Sequence, residues 1–360
     1  MSDITQLRIA IVLCFAAAFV VSCAVTPLSM IIAKKTNFLD IPKDERRMHS
    51  KAIPTMGGLA LICSFIIVAL LAKELILDNF AWAIAESVGA DKIYAVAIGG
   101  AIIFLLGIID DYFDLNAWVK LLGQIGSACV VCAMGVRITE VGLFGWSFTG
   151  STAASVAGFI ITVVWLVAIT NTINLIDGLD GLAAGVAAIA SLSIAYVAYT
   201  QGMYAMTFYM LVLAGASAGF LPFNFYPAKV FMGDCGAMFL GFTFASISIL
   251  DNTKSATLMA VIVPVLVLGV PVFDVLFAMV RRRASGKSIF SPDKGHLHHQ
   301  LTRIGMGQRR TVLMLYGISG VMGVAAVSYS RANFLEAVFL ILIAIVFILV
   351  LIWGWNKRNI

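Results

Sequence analysis

Long apolar runs separated by short polar breaks extend over the whole chain. A helix that crosses a bilayer needs about 20 mostly apolar residues, and eleven segments fit that pattern. Their approximate cores are 8–33, 57–77, 93–109, 117–134, 154–173, 181–200, 203–221, 236–250, 256–280, 311–330 and 334–355. No soluble domain, low-complexity linker or internal repeat interrupts them. The pattern therefore predicts an all-α polytopic integral membrane protein, with residues 1–360 forming a single membrane-embedded domain.

Composition and charge agree with this prediction and add an orientation. Of 360 residues, 61% are hydrophobic and 12% are charged, with a mean hydropathy of +1.00. If the spans alternate in direction, 18 of the 24 Lys and Arg residues fall on one face of the membrane. Cytoplasmic loops retain an excess of Lys and Arg, so we assign that face to the cytoplasm. With eleven spans, the N-terminus then lies outside and the C-terminus lies in the cytoplasm.

The polar side chains that could perform chemistry cluster on the predicted cytoplasmic loops. All four histidines lie on these loops, together with every cluster of carboxylates. The loops after the third, fifth and seventh spans and their borders carry Asp110, Asp111, Lys120, Asn171, Asn174, Asp177, Asp180, Asn224, Phe231 and Asp234. The first loop contains Lys51, and the ninth contains His296, His298 and His299. Loops that converge on one face predict a polar site at the cytoplasmic boundary.

Carboxylates beside a positive excess suit an anionic substrate that is bound through a metal. Asp and Asn oxygens are hard donors that Mg²⁺ prefers, and Mg²⁺ commonly leaves several positions to water and phosphate. We therefore expect Mg²⁺, with Mn²⁺ as an alternative. Zinc is disfavoured because His298 and His299 are adjacent and no cysteine accompanies them at a ligand spacing.

Two of the motifs also have purely structural explanations. The segment "DGLDGLAAG" can be a helix start, since Asp is favoured at a helix N-terminus by capping and by the dipole. The segment "FMGDCG" can be a glycine-rich turn that re-enters the membrane. Their common position on one face, rather than either motif alone, favours a functional site.

Four motifs together carry a family resemblance. In this order, "IDDYFDL", "NTINLIDGLDGLAAG", "FNFYPAKVFMGDCG" and "DKGHLHH" resemble the polyprenyl-phosphate N-acetylhexosamine-1-phosphate transferases, of the glycosyltransferase 4 type. The likeness covers nearly the whole chain. The "HLHH" segment is similar to the branch that transfers N-acetylglucosamine 1-phosphate, whereas the muramoyl-pentapeptide branch typically has a different histidine cluster.

The resemblance implies a reaction and a setting. Polyprenyl (undecaprenyl) phosphate would attack UDP-N-acetylglucosamine in a bacterial cytoplasmic (inner) membrane, with release of UMP, to initiate a cell-envelope glycan. No nucleic acid partner is expected, and a homodimer is left open. Alternatives are transfer of phospho-N-acetylmuramoyl-pentapeptide or of another UDP-sugar. A membrane transporter is a more distant alternative, because it would place charges near the bilayer midplane and show matching halves.

The resemblance also implies roles for individual residues. Asp110, Asp111 and Asp234 would be catalytic, and Asp234 and Asn174 would be the metal ligands. The residues expected to contact substrate are Lys51, Lys120, Asp177, Asp180, Asn224, Phe231, His296, His298 and His299. Phe231 would stack on the uracil, and the histidines would contact the diphosphate and sugar.

Asp110 and Asp111 could act in either of two ways. One of them could be a general base for the lipid phosphate. A phosphate monoester has a second pKa of about 6 and is mostly ionised at neutral pH, so a base would gain little. We therefore favour a positioning role and retain the base as a hypothesis. Pro264 and Pro271 interrupt the ninth span, and we expect one wall of an apolar groove for the polyprenyl tail there.

Overall fold

The structure is a computed structural model and is almost entirely helical. It describes residues 3–41, 52–77, 92–139, 141–143, 146–148, 152–250, 257–284, 286, 301 and 306–358. Its helices are α1 (Asp3–Lys35), α2 (Gly58–Ala72), α3 (Ile93–Phe113), α4 (Ala117–Ala133), α5 (Thr152–Ile176), α6 (Leu182–Thr200), α7 (Tyr204–Asn224), α8 (Gly233–Ser248), α9 (Thr257–Val267), α10 (Gly269–Ala284), α11 (Gln308–Ser330) and α12 (Phe334–Arg358). A π-helical turn, Lys73–Leu77, extends α2.

Most predicted spans correspond to helices that could cross a membrane. Within the described part of the chain, seven helices are long and apolar enough, and the pair α9–α10, bent by 84°, would make an eighth. The segments Ala117–Ala133 and Phe334–Val350 are apolar but shorter. Each of the eleven predicted cores lies on a helix or a helix pair. The chain is therefore a polytopic membrane protein, while the number of eleven spans stays a prediction.

Two short β-ladders accompany the predicted helices. Strand β1 (Leu39–Asp40) pairs antiparallel with β2 (Ile53–Pro54), and β3 (Val141–Leu143) pairs with β4 (Trp146–Phe148). Both ladders lie in connections between helices, where extended segments satisfy their backbone groups by pairing with each other. Hydropathy does not reveal such pairs, because each strand has only two or three residues.

Helix α8 lies at the centre of the bundle and carries the site at its first turn. Every residue from Cys235 to Ser248 is buried, and the helix packs against α2, α3 and α5. Close approach depends on small residues, as is common between membrane helices. A Cβ atom on Gly107 of α3 would lie 2.2 Å from the Cα of Cys235. The polar start of α8 is thus held directly against α3.

Candidate active site

Asp234, in the first turn of α8, is bound by side chains from two neighbouring helices. Its Oδ2 lies 2.9 Å from the Nζ of Lys120, near the start of α4. Its Oδ1 accepts a hydrogen bond of 2.7 Å from the Nδ2 of Asn174, near the end of α5. Three of the predicted site residues therefore meet at one carboxylate.

Asp110 and Asp111 are adjacent on α3 but have different partners. Asp110 is buried, its Oδ1 accepts from the backbone N–H of Leu115 at 3.1 Å, and its Oδ2 forms an ion pair with Lys120. Lys120 consequently bridges Asp110 and Asp234.

Asp111 binds the backbone at the beginning of α8. Its Oδ1 accepts from the N–H of Asp234 at 2.8 Å, and its Oδ2 accepts from the N–H of Cys235 at 3.1 Å. The first N–H groups of a helix have no partner within the helix, and a carboxylate there also interacts favourably with the helix dipole. Gly233 has φ +73°, and a Cβ atom there would lie 2.6 Å from Asp111 Oδ2. Glycine is therefore required at this turn.

The loops that contain Asp180 and Asn224 are hydrogen-bonded to each other. Asp180 Oδ2 accepts from the N–H of Ala228 at 2.9 Å. Asn224 is buried, accepts from the N–H of Gly181 at 3.1 Å and donates to the carbonyl of Val230 at 2.9 Å. Both side chains therefore position loops, and their expected contact with substrate stays a prediction.

The first predicted loop lies against the segment that precedes α8. The N–H of Phe231 donates to the carbonyl of Pro54 at 2.8 Å, and the N–H of Gly57 donates to the carbonyl of Phe231 at 2.9 Å. This backbone pairing brings the "IPTMGG" motif beside the "FMGDCG" motif. The predicted substrate contacts Lys51, His296, His298 and His299 lie outside the described residues.

Carboxylates outnumber cations in the immediate surroundings of Asp234. Burial, together with the negative charges of Asp234, Asp111 and Asp180, raises the pKa of Asp177 to about 8. Lys120 is the cation that contacts Asp110 and Asp234. The excess of carboxylates therefore favours the binding of an additional cation at this site.

The donor chemistry fits Mg²⁺ bound through few protein ligands. No group of three or more His, Cys, Asp or Glu side chains in the described ranges is arranged to enclose a metal. Mg²⁺ typically takes one or two carboxylates and completes its shell with water and substrate phosphates. Asp234, with Asn174 beside it, meets that requirement, whereas a closed zinc site needs four ligands.

Two contributors were missed by sequence reasoning. Tyr316 of α11 donates its hydroxyl hydrogen to the carbonyl of Gly181 and so supports the loop that contains Asp177 and Asp180. The N–H groups of Asp234 and Cys235 act through the backbone, which the side-chain pattern does not show. For Gly233, the spacing in "MGDCG" was a signal that a tight turn precedes Asp234.

Comparison with known proteins agrees with the resemblance of the motifs. The model described as "Glycosyl transferase family 4" matches residues 93–252, which include α3 to α8. A Bacillus subtilis (strain 168) protein named "Probable undecaprenyl-phosphate N-acetylglucosaminyl 1-phosphate transferase" is 36% identical over 347 residues, covering 94% of this chain and 90% of its own.

Two further relatives are named for transfer of two different sugar phosphates. A Mycobacterium tuberculosis (strain ATCC 25618 / H37Rv) "Decaprenyl-phosphate N-acetylglucosaminephosphotransferase" is 34% identical over 331 residues, covering 87% of this chain and 80% of its own. A Bacillus subtilis (strain 168) "Phospho-N-acetylmuramoyl-pentapeptide-transferase" is 30% identical over 331 residues, covering 86% and 94%. The similarity thus extends well beyond the matched segment, over most of the membrane domain.

Proposed function

Since this chain belongs to glycosyl transferase family 4, we propose that it transfers N-acetylglucosamine 1-phosphate from UDP-N-acetylglucosamine to a polyprenyl phosphate, with Mg²⁺ and with release of UMP. It is an enzyme of the polyprenyl-phosphate N-acetylglucosaminyl 1-phosphate transferase type, as its relatives are. The observation that carries the proposal is the arrangement at Asp234, whose two oxygens contact Lys120 and Asn174 beside Asp110 and Asp111.

Asp234 and Asn174 are the residues that would hold Mg²⁺. The amide of Asn174 now donates to Asp234, and rotation of that amide would present its oxygen instead. When bound, Mg²⁺ supplies charge that offsets the repulsion between the two phosphate groups and stabilises the transferred phosphoryl group. Such repulsion amounts to about 4 kcal/mol for unit charges at 4 Å and an effective dielectric of 20. Lys120 supplies a further positive charge at the same carboxylate.

The contacts of Asp110 and Asp111 favour positioning over proton abstraction. Both oxygens of Asp111 already accept backbone N–H groups of α8, and its role is to orient the turn that carries Asp234. Asp110 holds the ammonium of Lys120. The lipid phosphate has a second pKa of about 6, so neither carboxylate has to remove its proton at neutral pH.

The setting of the reaction is part of the proposal. The site lies where α3, α5 and α7 end and α4, α6 and α8 begin, so it occupies one end of the bundle. We assign that end to the cytoplasmic face of a bacterial cytoplasmic membrane, with the N-terminus outside and the C-terminus inside. The broken pair α9–α10, which contains Pro264 and Pro271, remains our candidate wall for the polyprenyl tail. A homodimer stays a prediction.

The purified protein in detergent tests the proposal directly. UDP-N-acetylglucosamine and a polyprenyl phosphate should yield UMP and a lipid-linked sugar diphosphate only when Mg²⁺ is present. Chelation should abolish the reaction and added Mg²⁺ should restore it, and Mn²⁺ tests the alternative metal. The variant Asp234→Asn is the inactive control. UMP release that is independent of Mg²⁺, or absent with every acceptor lipid, would contradict the proposal.

The same assay separates the branches of the family. UDP-N-acetylgalactosamine and UDP-MurNAc-pentapeptide should each react much more slowly than UDP-N-acetylglucosamine at equal concentration. Faster turnover of the muramoyl-pentapeptide substrate would reassign the chain to that branch, which some relatives represent.

A further inference from the structure

A second layer of polar contacts lies one helical turn below the candidate active site. Gln124 on α4 and Asn171 on α5 form a reciprocal amide pair. The Nδ2 of Asn171 donates to the Oε1 of Gln124 at 2.5 Å, and the Nε2 of Gln124 donates to the Oδ1 of Asn171 at 3.4 Å. Gln124 is 1% exposed, and its Nε2 also lies 3.4 Å from the Sδ of Met238 on α8.

This lower layer uses the same three helices as the site itself. Gln124 follows Lys120 by four residues on α4, and Met238 follows Asp234 by four on α8. Asn171 precedes Asn174 by three on α5, a helix that ends at the site. Residues three or four apart share one face of a helix. Lys120, Asn174 and Asp234 join α4, α5 and α8 at the site. Gln124, Asn171 and Met238 therefore join the same three helices again, one turn deeper.

Buried amides restrict how helices can slide or rotate. A buried amide without a partner costs roughly 1–3 kcal/mol, whereas apolar side chains tolerate small shifts because their contacts have no direction. The Gln124–Asn171 pair is satisfied in one register of α4 against α5. Asn171 is fixed further because its Nδ2 also donates to the carbonyl of Val167 at 2.8 Å.

We infer that Gln124 and Asn171 are positioning residues that set the register of α4, α5 and α8, so that Lys120 and Asn174 reach opposite oxygens of Asp234. This inference rests on the proposed function and deepens it. Neither amide touches the carboxylate of Asp234; each acts through the residue one turn above it on its own helix. A displacement of about 1 Å at a reacting group can lower a rate about 100-fold, so the pair should affect kcat strongly.

The test compares three variants with wild type. Gln124→Met leaves the half-buried Asn171 amide with only its bond to the carbonyl of Val167. Asn171→Leu leaves the buried Gln124 amide with only the sulfur of Met238. The double variant removes both amides and keeps similar volumes. Removing both partners of a buried hydrogen bond can be nearly neutral for stability. We therefore expect the double variant to recover most of the melting temperature lost by the single variants. Its kcat should nonetheless remain about 10- to 100-fold below wild type.

Two further readouts distinguish positioning from a general loss of structure. The half-saturating Mg²⁺ concentration should rise, and the rise in melting temperature on adding Mg²⁺ should shrink, while the KM for UDP-N-acetylglucosamine changes little. Ser127→Ala is the matched control, because Ser127 is buried one turn deeper on α4 and donates to the carbonyl of Gly99 on α3. It should lose stability and keep kcat and Mg²⁺ response.

The outcomes separate this inference from the proposed function. A double variant with wild-type kcat and Mg²⁺ response would overturn the inference, as would single variants whose kcat simply follows their stability. If wild type itself shows no Mg²⁺-dependent transfer, the proposed function fails. Should a single variant not fold, the double variant still decides between the outcomes.

Discussion

At the scale of single residues, Asp110 and Asp111 show how neighbouring carboxylates acquire different tasks. Asp111 accepts two backbone N–H groups at the start of α8, and Asp110 forms an ion pair with Lys120. Sequence alone left both residues with the same two hypotheses. Their contacts now predict different consequences of neutralising each one.

We expect Asp111→Asn to lower both stability and activity. An amide offers one oxygen, so its NH₂ group would face one of the two α8 N–H donors, and a hydrogen bond to a charged group contributes about 1.5–3 kcal/mol. Asp110→Asn should instead weaken the hold on Lys120 and lower kcat with a smaller loss of melting temperature. The measurements are thermal unfolding in detergent and kcat between pH 6 and 8.

The pH profile decides whether either carboxylate is a general base. For a positioning residue, the ratio of variant to wild-type kcat should stay nearly constant from pH 6 to 8, because the lipid phosphate ionises by itself near pH 6. Recovery of most of the rate at pH 8 in Asp110→Asn or Asp111→Asn would support the base hypothesis instead.

Asp177 should make the stability of the metal-free protein depend on pH. Its pKa is raised to about 8 by burial and by the negative charges of Asp234, Asp111 and Asp180, against about 3.9 in an unfolded chain. Between these values the folded state keeps a proton that the unfolded state has lost. The stability that this proton gives to the folded state is therefore fully present below about pH 4 and is lost as pH rises through about 8.

The corresponding measurement is the melting temperature between pH 5 and 9 in the presence of a chelator. Wild type should lose stability progressively toward pH 9, and Asp177→Asn, which does not titrate, should show a flatter profile. Equal slopes for the two proteins would contradict the assignment of the proton to Asp177.

At the scale of helices, the crossing of α3 and α8 determines where the charged groups meet. Gly107 of α3 lies so close to α8 that an added Cβ would approach the Cα of Cys235 to 2.2 Å, next to Asp234. Gly107→Ala should therefore push the helices apart, at a cost of about 1–3 kcal/mol for overpacking. We expect kcat to fall at least about 10-fold, because the reacting groups lose their alignment.

A second glycine provides the control for Gly107→Ala. Gly126 of α4 is exposed, and a Cβ there would meet nothing within 4 Å. Gly126→Ala should keep activity and gain up to about 1 kcal/mol in stability, since alanine favours helix more than glycine does. Similar activity losses in both variants would indicate a general sensitivity of the helices rather than a specific crossing.

The sequence predicted the helices and the face that carries the site better than it predicted the contacts. Hydropathy located the described helices, because each lies in a predicted apolar segment, and the charges separated one set of loops from the other. The pairing of Asp111 with Asp234 joins residues 123 positions apart, and that of Lys120 with Asp234 joins residues 114 apart. No local sequence pattern indicates which of two distant residues will pair, because such pairs depend on how the helices pack.

Loop-positioning roles were equally inaccessible from the sequence. The family resemblance implied that Asn224 and Asp180 contact substrate, yet their described partners are backbone groups of neighbouring loops. A polar residue in a loop can satisfy either a ligand or the backbone, and the sequence does not distinguish these. The two short β-ladders were not predicted for a related reason, because each forms only where two segments of a connection between helices lie side by side.

At the scale of the whole molecule, the two ends of the bundle differ in charge, and this difference predicts its orientation. The site end carries Lys120, Lys229, the basic last turn of α10 and Lys357–Arg358 of α12. The opposite end, where α6 and α11 end, carries Arg8 and Arg331, each hydrogen-bonded to a tyrosine hydroxyl. Lys and Arg are retained preferentially in cytoplasmic loops, so the site end should face the cytoplasm.

Cysteine labelling in bacterial spheroplasts tests this orientation. Gln201 and Lys229 are both exposed and lie at opposite ends, Gln201 just after α6 and Lys229 in the loop bound to Asp180. A membrane-impermeant thiol reagent should label Gln201→Cys in intact spheroplasts and Lys229→Cys only after lysis. The unaltered protein is the control, because its six cysteines are buried or partly buried. Labelling of Lys229→Cys alone before lysis would reverse the orientation and place the site, with its nucleotide substrate, on the wrong side of the membrane for a cytoplasmic UDP-sugar.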